Sequence, residues 1–311
     1  MEKDLGHLSD TLDPVQLPAE NTFSVRLYKL WRLLRQSPVG LIGTIILCVV
    51  IFLAIFGPFV SPHDAAERNL RARFEPPGFT DDTGTYLLGT DQLGRDILSR
   101  IIAGARVSVV VGTVSVLIAG TIGVIYGMIA GFFGGFIDTV LMRIVDALLG
   151  IPFIVLVVAI SGVIGAGLTT LILILGLTGW VTYARVIRGE VLKVREFEYI
   201  TAAYAMGQKQ FKIIFVHIMP NVVSSAIVLA AIQVGVTILA ESSLSFLGLG
   251  VKPPTVTWGL MLADGRQYVG SAWWMTAFPG IAITLTVLGA VFTGDWLRDI
   301  LDPNIRGVDQ S

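Results

Sequence analysis

Long apolar stretches separated by short polar ones dominate the chain. Six of them reach or approach the roughly 20 residues a helix needs to cross the hydrocarbon core of a bilayer. They run over residues 40–60, 106–130, 136–161, 168–187, 222–247 and 276–296. In lipid every backbone amide must be satisfied within its own segment, so the pattern predicts an all-α integral membrane protein with six transmembrane helices. The third stretch is the least regular. Arg143 and Asp146 lie inside it, and Pro152 removes a rung from its hydrogen-bond ladder, which predicts a kink there. The last stretch is closed by Asp295, Arg298, Asp299 and Asp302, which return the carboxyl tail to water. The layout is therefore an N-terminal segment over 1–39 with an amphipathic basic helix, a six-helix domain over 40–300, and a tail over 301–311.

Composition agrees with this reading and narrows the chemistry. Of 311 residues 54% are hydrophobic and 14% charged, with a mean hydropathy of +0.76, more apolar surface than one water-soluble core could bury. The net charge of -1 gives no global attraction to nucleic acid. Cys48 is the one cysteine, so neither a disulfide nor a thiolate metal site can form within the chain. His7, His63 and His217 are scattered, and neither a histidine pair nor a carboxylate cluster supports a metal or hydrolytic centre. A G-x-x-x-x-G-K-[ST] phosphate loop is missing, so the chain does not hydrolyse nucleotide in the usual way. No catalytic, cofactor-binding or metal-binding residue is assigned.

Charge placement sets an expected orientation. Arg26, Lys29, Arg32 and Arg35 precede the first stretch, and Arg185, Arg188, Lys193, Arg195, Lys209 and Lys212 lie between the fourth and fifth. Basic short loops stay in the cytoplasm, which puts both termini and the 188–221 loop inside, and the 61–105 and 250–274 loops outside. The first outer loop argues the other way through Arg68, Arg71, Arg73, Arg95 and Arg100, although seven acidic residues accompany them. The first 22 residues lack a basic n-region, and the first apolar run is too long for a signal peptide, so the N-terminus reads as uncleaved and cytosolic.

Four features carry candidate function. Residues 196–221, EFEYITAAYAMGQKQFKIIFVHIMPN, are too polar to span and too patterned for a slack loop. Ala202, Ala203 and Met206 fall on one helical face, Gly207 breaks the helix, and Phe211, Ile214, Phe215 and Ile218 form a second face. Two short helices joined at a glycine would make a knob whose small residues enter a partner's groove. In LLGTDQLGRDILSRIIAGARVS (87–108), Asp91, Arg95 and Asp96 can pair at a helix start, either as capping or as contact for an external protein, while Gly89 and Gly94 allow tight turns. Arg143 and Asp146, three apart, are placed to pair or to gate. Glu241 either lines the pathway or bonds to the hydroxyls of Ser242, Ser243 and Ser245. Trp258, Trp273 and Trp274 read as headgroup-level anchors, and Gly123, Gly127 and Gly131 as a seam for close helix packing within the chain.

The 196–221 segment resembles the cytoplasmic loop of ABC transporter importer permeases, whose pattern is Glu-Ala-Ala, three residues, Gly, and a later Pro. Here Thr201, Ala202, Ala203, Gly207 and Pro220 match, with Thr201 in the acidic position and Glu198 one turn earlier. The 87–108 block, MRIVDALLGIP (142–152), ESSLSFLGLGVKPPTVTWGLML (241–262) and GDWLRDILDPNIRG (294–307) are similar, in order, to blocks of the dipeptide, oligopeptide and nickel permeases. The resemblance covers most of the chain after Gly40 and is nearest the "C" type of dipeptide permease.

That resemblance implies a type I ABC importer permease fold in a bacterial inner membrane, a second homologous permease subunit, and one or two ATPase subunits that bind ATP and Mg. It also implies an extracytoplasmic substrate-binding protein. Two other readings stay open at this stage. An ion-coupled secondary transporter would need ionisable groups at the bilayer midplane and an interrupted-helix repeat. The same importer class could also carry a nickel chelate, glutathione or a sugar instead of a peptide.

Overall fold

A computed structural model describes residues 31–301. Of these, residues 31–38 belong to one compact unit and those from Val39 to a second. In the first, residues 31–36 are helical and the Arg35 guanidinium lies 4.8 Å over the Trp31 ring. Arg26 and Lys29 of the expected basic helix, His7 and Asp302 lie outside the described residues.

The second unit is a helical bundle. Helix α1 (Pro38–Val60) is a nearly all-apolar span. Helix α2 (Ile97–Phe133) starts nine residues before the apolar stretch that announced it, so the 61–105 loop ends instead at Asp96. The cause is local: the Asp96 carboxylate accepts the Ser99 amide at 2.9 Å and starts the helix in polar surroundings. The third stretch is broken into α3 (Gly135–Leu149) and α4 (Phe153–Ile164), bent by 83° where Pro152 interrupts the ladder. The bend is far sharper than a kinked span. At about 1.5 Å per residue the 12-residue α4 reaches only about 18 Å, short of a crossing. Helix α5 (Leu168–Arg195) leads to the short α6 (Glu198–Ala205). Helix α7 then runs unbroken over Gln210–Phe246, followed by α8 (Trp258–Gly265) and α9 (Trp274–Leu301). Among the described residues, five helices are long and apolar enough to cross a membrane, six if the bent pair counts as one span.

Small residues bring the axes together. At Gly123, Gly127 and Gly131 of α2 an added Cβ would lie 2.3 Å from Tyr183 Cβ, 2.6 Å from the Ala184 carbonyl and 2.8 Å from Val191 Cβ, all on α5. The expected glycine seam is thus an internal one. Gly43 and Gly289 do the same between α1 and α9, and Gly235 and Gly294 between α7 and α9.

The 61–96 segment is ordered, and it interrupts the all-α reading with a hairpin, β1 (Phe79–Asp81) and β2 (Gly84–Tyr86), paired antiparallel. Asp81 accepts from the Thr83 amide and hydroxyl and from Asn69 Nδ2. These bonds, the Thr83 hydroxyl above all, hold its carboxyl below the usual carboxylate range.

Two of the three tryptophans are not anchors at the headgroup level. Trp258 and Trp274 are 2% and 7% exposed, and their indole N–H groups donate to the carbonyls of Ile101 (2.9 Å) and Thr90 (3.1 Å), tying α8 to the first turns of α2 and α9 to the 61–96 segment. Trp273, half exposed, fits the anchoring expectation. Trp258→Phe deletes one hydrogen bond and leaves part of the buried indole's volume empty, so thermal unfolding in detergent should show a loss of about 2–3 kcal/mol.

Candidate functional site

At one end of the bundle α5, α6 and the start of α7 build a projecting knob. Its inner side is apolar and closed: Ile200 and Ala203 of α6 meet Phe132 of α2, Ile187, Val191 and Val194 of α5, and Ile213, Ile218 and Val222 of α7. Gly207 makes the turn with φ +74°, a conformation an L side chain resists, and the Gln208 amide closes it on the Ala203 carbonyl at 3.1 Å. His217 Nε2 lies 3.0 Å from Gln208 Oε1, and Asn221 Nδ2 donates to the Tyr199 hydroxyl at 3.3 Å, so polar bonds also fasten α6 to α7.

The faces differ from those expected. Ala203 is 1% exposed and points inward, whereas Ala202 and Met206 point out. On α7 Phe211 and Phe215 are exposed while Ile214 and Ile218 pack inward. The outer surface of the knob is thus Thr201, Ala202, Tyr204, Met206, Phe211 and Phe215, larger and more aromatic than a small-residue face. Nor is the second helix short. It enters α7 through a π segment at Ile213–Ile218, where the Met219 amide bonds to the Ile214 carbonyl. Pro220 follows immediately. Its missing N–H and bulky ring would break a regular α ladder, and the wider π turn just before it lets the helix continue.

At the opposite end Asp91, Arg95 and Asp96 separate into two arrangements. Asp91 accepts from Arg95 Nε at 2.6 Å and from the amides of Leu93 and Arg95. Arg100 Nε lies 3.7 Å from Asp91, and Asp264 of α8 stands 3.6 Å from Arg95 Nη2 and 3.7 Å from Arg100 Nη2, which completes a four-member cluster. Asp96 does not pair with Arg95. It caps α2, takes the Ser99 hydroxyl at 2.5 Å, and lies 3.5 Å from His63.

The intramembrane charges also pair differently from the sequence expectation. Asp146 bonds to Arg185 of α5 at 2.6 Å rather than to Arg143, which has no ion pair among the described residues. Both partners are half exposed. Arg188 holds Asp138 with two bonds, at 2.5 and 2.6 Å, so α3 is tied to α5 at two levels. Glu241 is fully buried; it accepts from Ser245 (2.8 Å) and Ser242 (3.3 Å), while Ser243 turns to the Leu239 carbonyl. The serine-bonded alternative describes this carboxylate, which in its buried place does not line an open path.

Comparison with known proteins agrees with this architecture. Residues 123–307, more than half of the chain, match the family described as binding-protein-dependent transport system inner membrane component, and residues 27–77 match the N-terminal TM domain of oligopeptide transport permease C. The chain belongs to this family of ABC importer permeases. The permease is 41% identical over 277 residues to the dipeptide transport system permease protein DppC of Bacillus subtilis (strain 168), covering 89% of this chain and 85% of the relative. It is 38% identical over 279 residues to the probable D,D-dipeptide transport system permease protein DdpC of Escherichia coli (strain K12), covering 90% and 92%. It is also 38% identical over 272 residues to the oligopeptide transport system permease protein OppC of Bacillus subtilis (strain 168), covering 88% of each. The permease is therefore a multi-pass inner membrane protein.

Sequence reasoning passed over Arg100, Asp264 and Arg185. Arg100 carried a signal, since α2 begins at Ile97 and places it one turn into the same helix start as Arg95. Asp264 and Arg185 carried none, because their partners lie 164 and 39 positions away.

Proposed function

We propose that this permease forms half of the translocation pathway of an ATP-driven importer of di- or oligopeptides and is driven through residues 198–220. The observation that carries the reading is the two-sided knob. Its inner side is locked to α2, α5 and α7, while Met206 and Phe211 stand 72% and 75% exposed at its tip with nothing among the described residues to cover them. A rigid projection with an uncovered aromatic and thioether surface suits a groove on a partner. Here the partner is one of one or two cytoplasmic ATPase subunits that bind ATP and Mg and close on nucleotide.

Glu198, Thr201, Ala202 and Gly207 shape this contact, Ala203 and Pro220 position it, and both termini lie on the same cytoplasmic side. The relatives' names support peptides as cargo over nickel chelates, glutathione or sugars, and a second homologous permease and an extracytoplasmic binding protein complete the assembly. Glu241 is buried and bonded, and among the described residues no run of ionisable groups crosses the spans, so an ion-coupled mechanism gains no support.

The test must leave the fold intact, and a charged residue at Ala203 would not, since it would enter the apolar cluster. Met206→Glu or Phe211→Glu should assemble and melt like the parent, yet lose about tenfold or more of ATP-dependent dipeptide uptake in proteoliposomes and release the ATPase on size exclusion. Uptake at the parental rate by both variants would refute the coupling role.

A further inference from the structure

At the end of the bundle that carries the 61–96 segment, a cavity of about 840 Å³ opens between α1 and α2. Its floor is apolar: Leu53 and Ala54 of α1 face Ile102 and Val107 of α2, with Gly57 set so close that an added Cβ would lie 2.8 Å from Ile102. Ser61, His63, Asp64 and Glu67 give it a polar rim, with Ser99 buried behind His63. Arg106 also lines the cavity, beside Val107 and about one turn deeper along α2 than Ile102.

Arg106 is the unusual member. It is exposed, and among the described residues its guanidinium has neither an ion pair nor a hydrogen bond. Every other arginine of α2 and α5 meets an acid or a carbonyl: Arg100, Arg185 and Arg188 as above, and Arg195, which donates to the Gly131 carbonyl at 2.7 Å. The depth of Arg106 is informative. Helix α2 has 37 residues and a length of about 55 Å, against a hydrocarbon core of about 30 Å. Arg106 sits about 14 Å from the helix start, which places it at the boundary between headgroups and acyl chains. An unpaired cation there calls for an anion of the lipid layer.

The rim adds a second requirement. Asp64 and Glu67 both line the cavity, are exposed and have no ion pair among the described residues, so the ligand presents an anion below and a cation above. A phosphate next to a primary ammonium, carried on apolar chains that fit between α1 and α2, satisfies the apolar lining, Arg106 and the two acids together. We propose that this cavity holds the headgroup of an ethanolamine phospholipid, its phosphate on Arg106 and its ammonium toward Asp64 and Glu67. A free zwitterion such as a dipeptide shares the two charges but has no chains for the floor.

The site is tested on the full-length protein, with the subunits that co-purify, in nanodiscs of equal phosphatidylethanolamine and phosphatidylglycerol. Lipid retained after detergent extraction is read by native mass spectrometry. The parent should keep phosphatidylethanolamine in preference, Arg106→Gln about tenfold less of it, and Arg106→Lys most of it. Asp64→Asn with Glu67→Gln should keep lipid and lose the headgroup preference. Equal retention by parent and Arg106→Gln, or an unchanged preference in the double variant, would overturn the assignment. So would displacement of the lipid by added dialanine, which would give the cavity to cargo. Should Arg106→Gln fail to assemble on size exclusion, the lysine and double variants decide by the same readings.

Discussion

Gly94→Val is expected to unfold the 61–96 segment, costing more than about 4 kcal/mol and lowering both yield and melting temperature in detergent. Gly94 has φ +71°, and a Cβ there would lie 1.7 Å from the Asn69 carbonyl oxygen, a backbone atom that cannot swing aside. Asn69 cannot retreat, because its side chain also bonds Asp81 (2.8 Å), the Tyr86 hydroxyl (3.3 Å) and the Arg71 amide (3.3 Å). Strain at one glycine therefore spreads to the hairpin, the 3₁₀ turn at Leu70–Ala72 and the amides around Asp91. Gly78, also at positive φ but with open space around its Cβ position, is the control: Gly78→Ala should cost about 1 kcal/mol. Equal melting of the two variants would show that contact with Asn69 is not what holds the segment.

The second large effect is expected at Asp91. Removing its carboxylate in Asp91→Ala strips Arg95 of its 2.6 Å partner and leaves the buried Arg100 with Asp264 alone, 3.7 Å away. An uncompensated buried charge costs about 3–5 kcal/mol, and chemical unfolding of the purified protein should show it. Asp264 is about a third exposed, so Asp264→Asn should lose less than about 1 kcal/mol. Neutralising both sides, Asp91→Asn with Arg100→Met, should recover part of the loss, because the guanidinium rather than the missing bond is then the costly group. A double variant worse than Asp91→Ala would show that the unpaired Arg100 guanidinium is not the source of the penalty.

Helix existence was legible because apolar length is a one-dimensional signal. The stretches at 40–60, 168–187 and 276–296 each fall inside a helix of the bundle. Helix starts were less legible. Helix α2 begins among Asp96, Ser99 and Arg100, residues that lower hydropathy while they cap and pair, so the apolar run marked the buried depth and not the first turn. Pro152 announced a break, but its angle of 83° is decided by what α3 and α4 rest on, including the Asp138–Arg188 and Asp146–Arg185 bonds to a helix 39 to 50 positions away.

At the knob, helical spacing put Ala202, Ala203 and Met206 together, and the structure turned Ala203 away. A helix of only eight residues offers too few turns for periodicity to separate the side held by its own chain from the side left free. Trp258 and Trp274 misled for a different reason. An indole at the end of a span can anchor to lipid or reach a carbonyl within the protein, and only the placement of Ile101 and Thr90 decides between them.

Helix α7 runs without a break from Gln210, in the knob, to Phe246, beside the buried Glu241 and its serines. Thirty-seven residues make a stiff rod of about 55 Å, and the π turn widens it without cutting it. A tilt of about 10° about the midpoint carries each tip about 5 Å, in opposite directions. A displacement of the Phe211 end would therefore appear at Ser245 with its sign reversed, without any flexible joint between them.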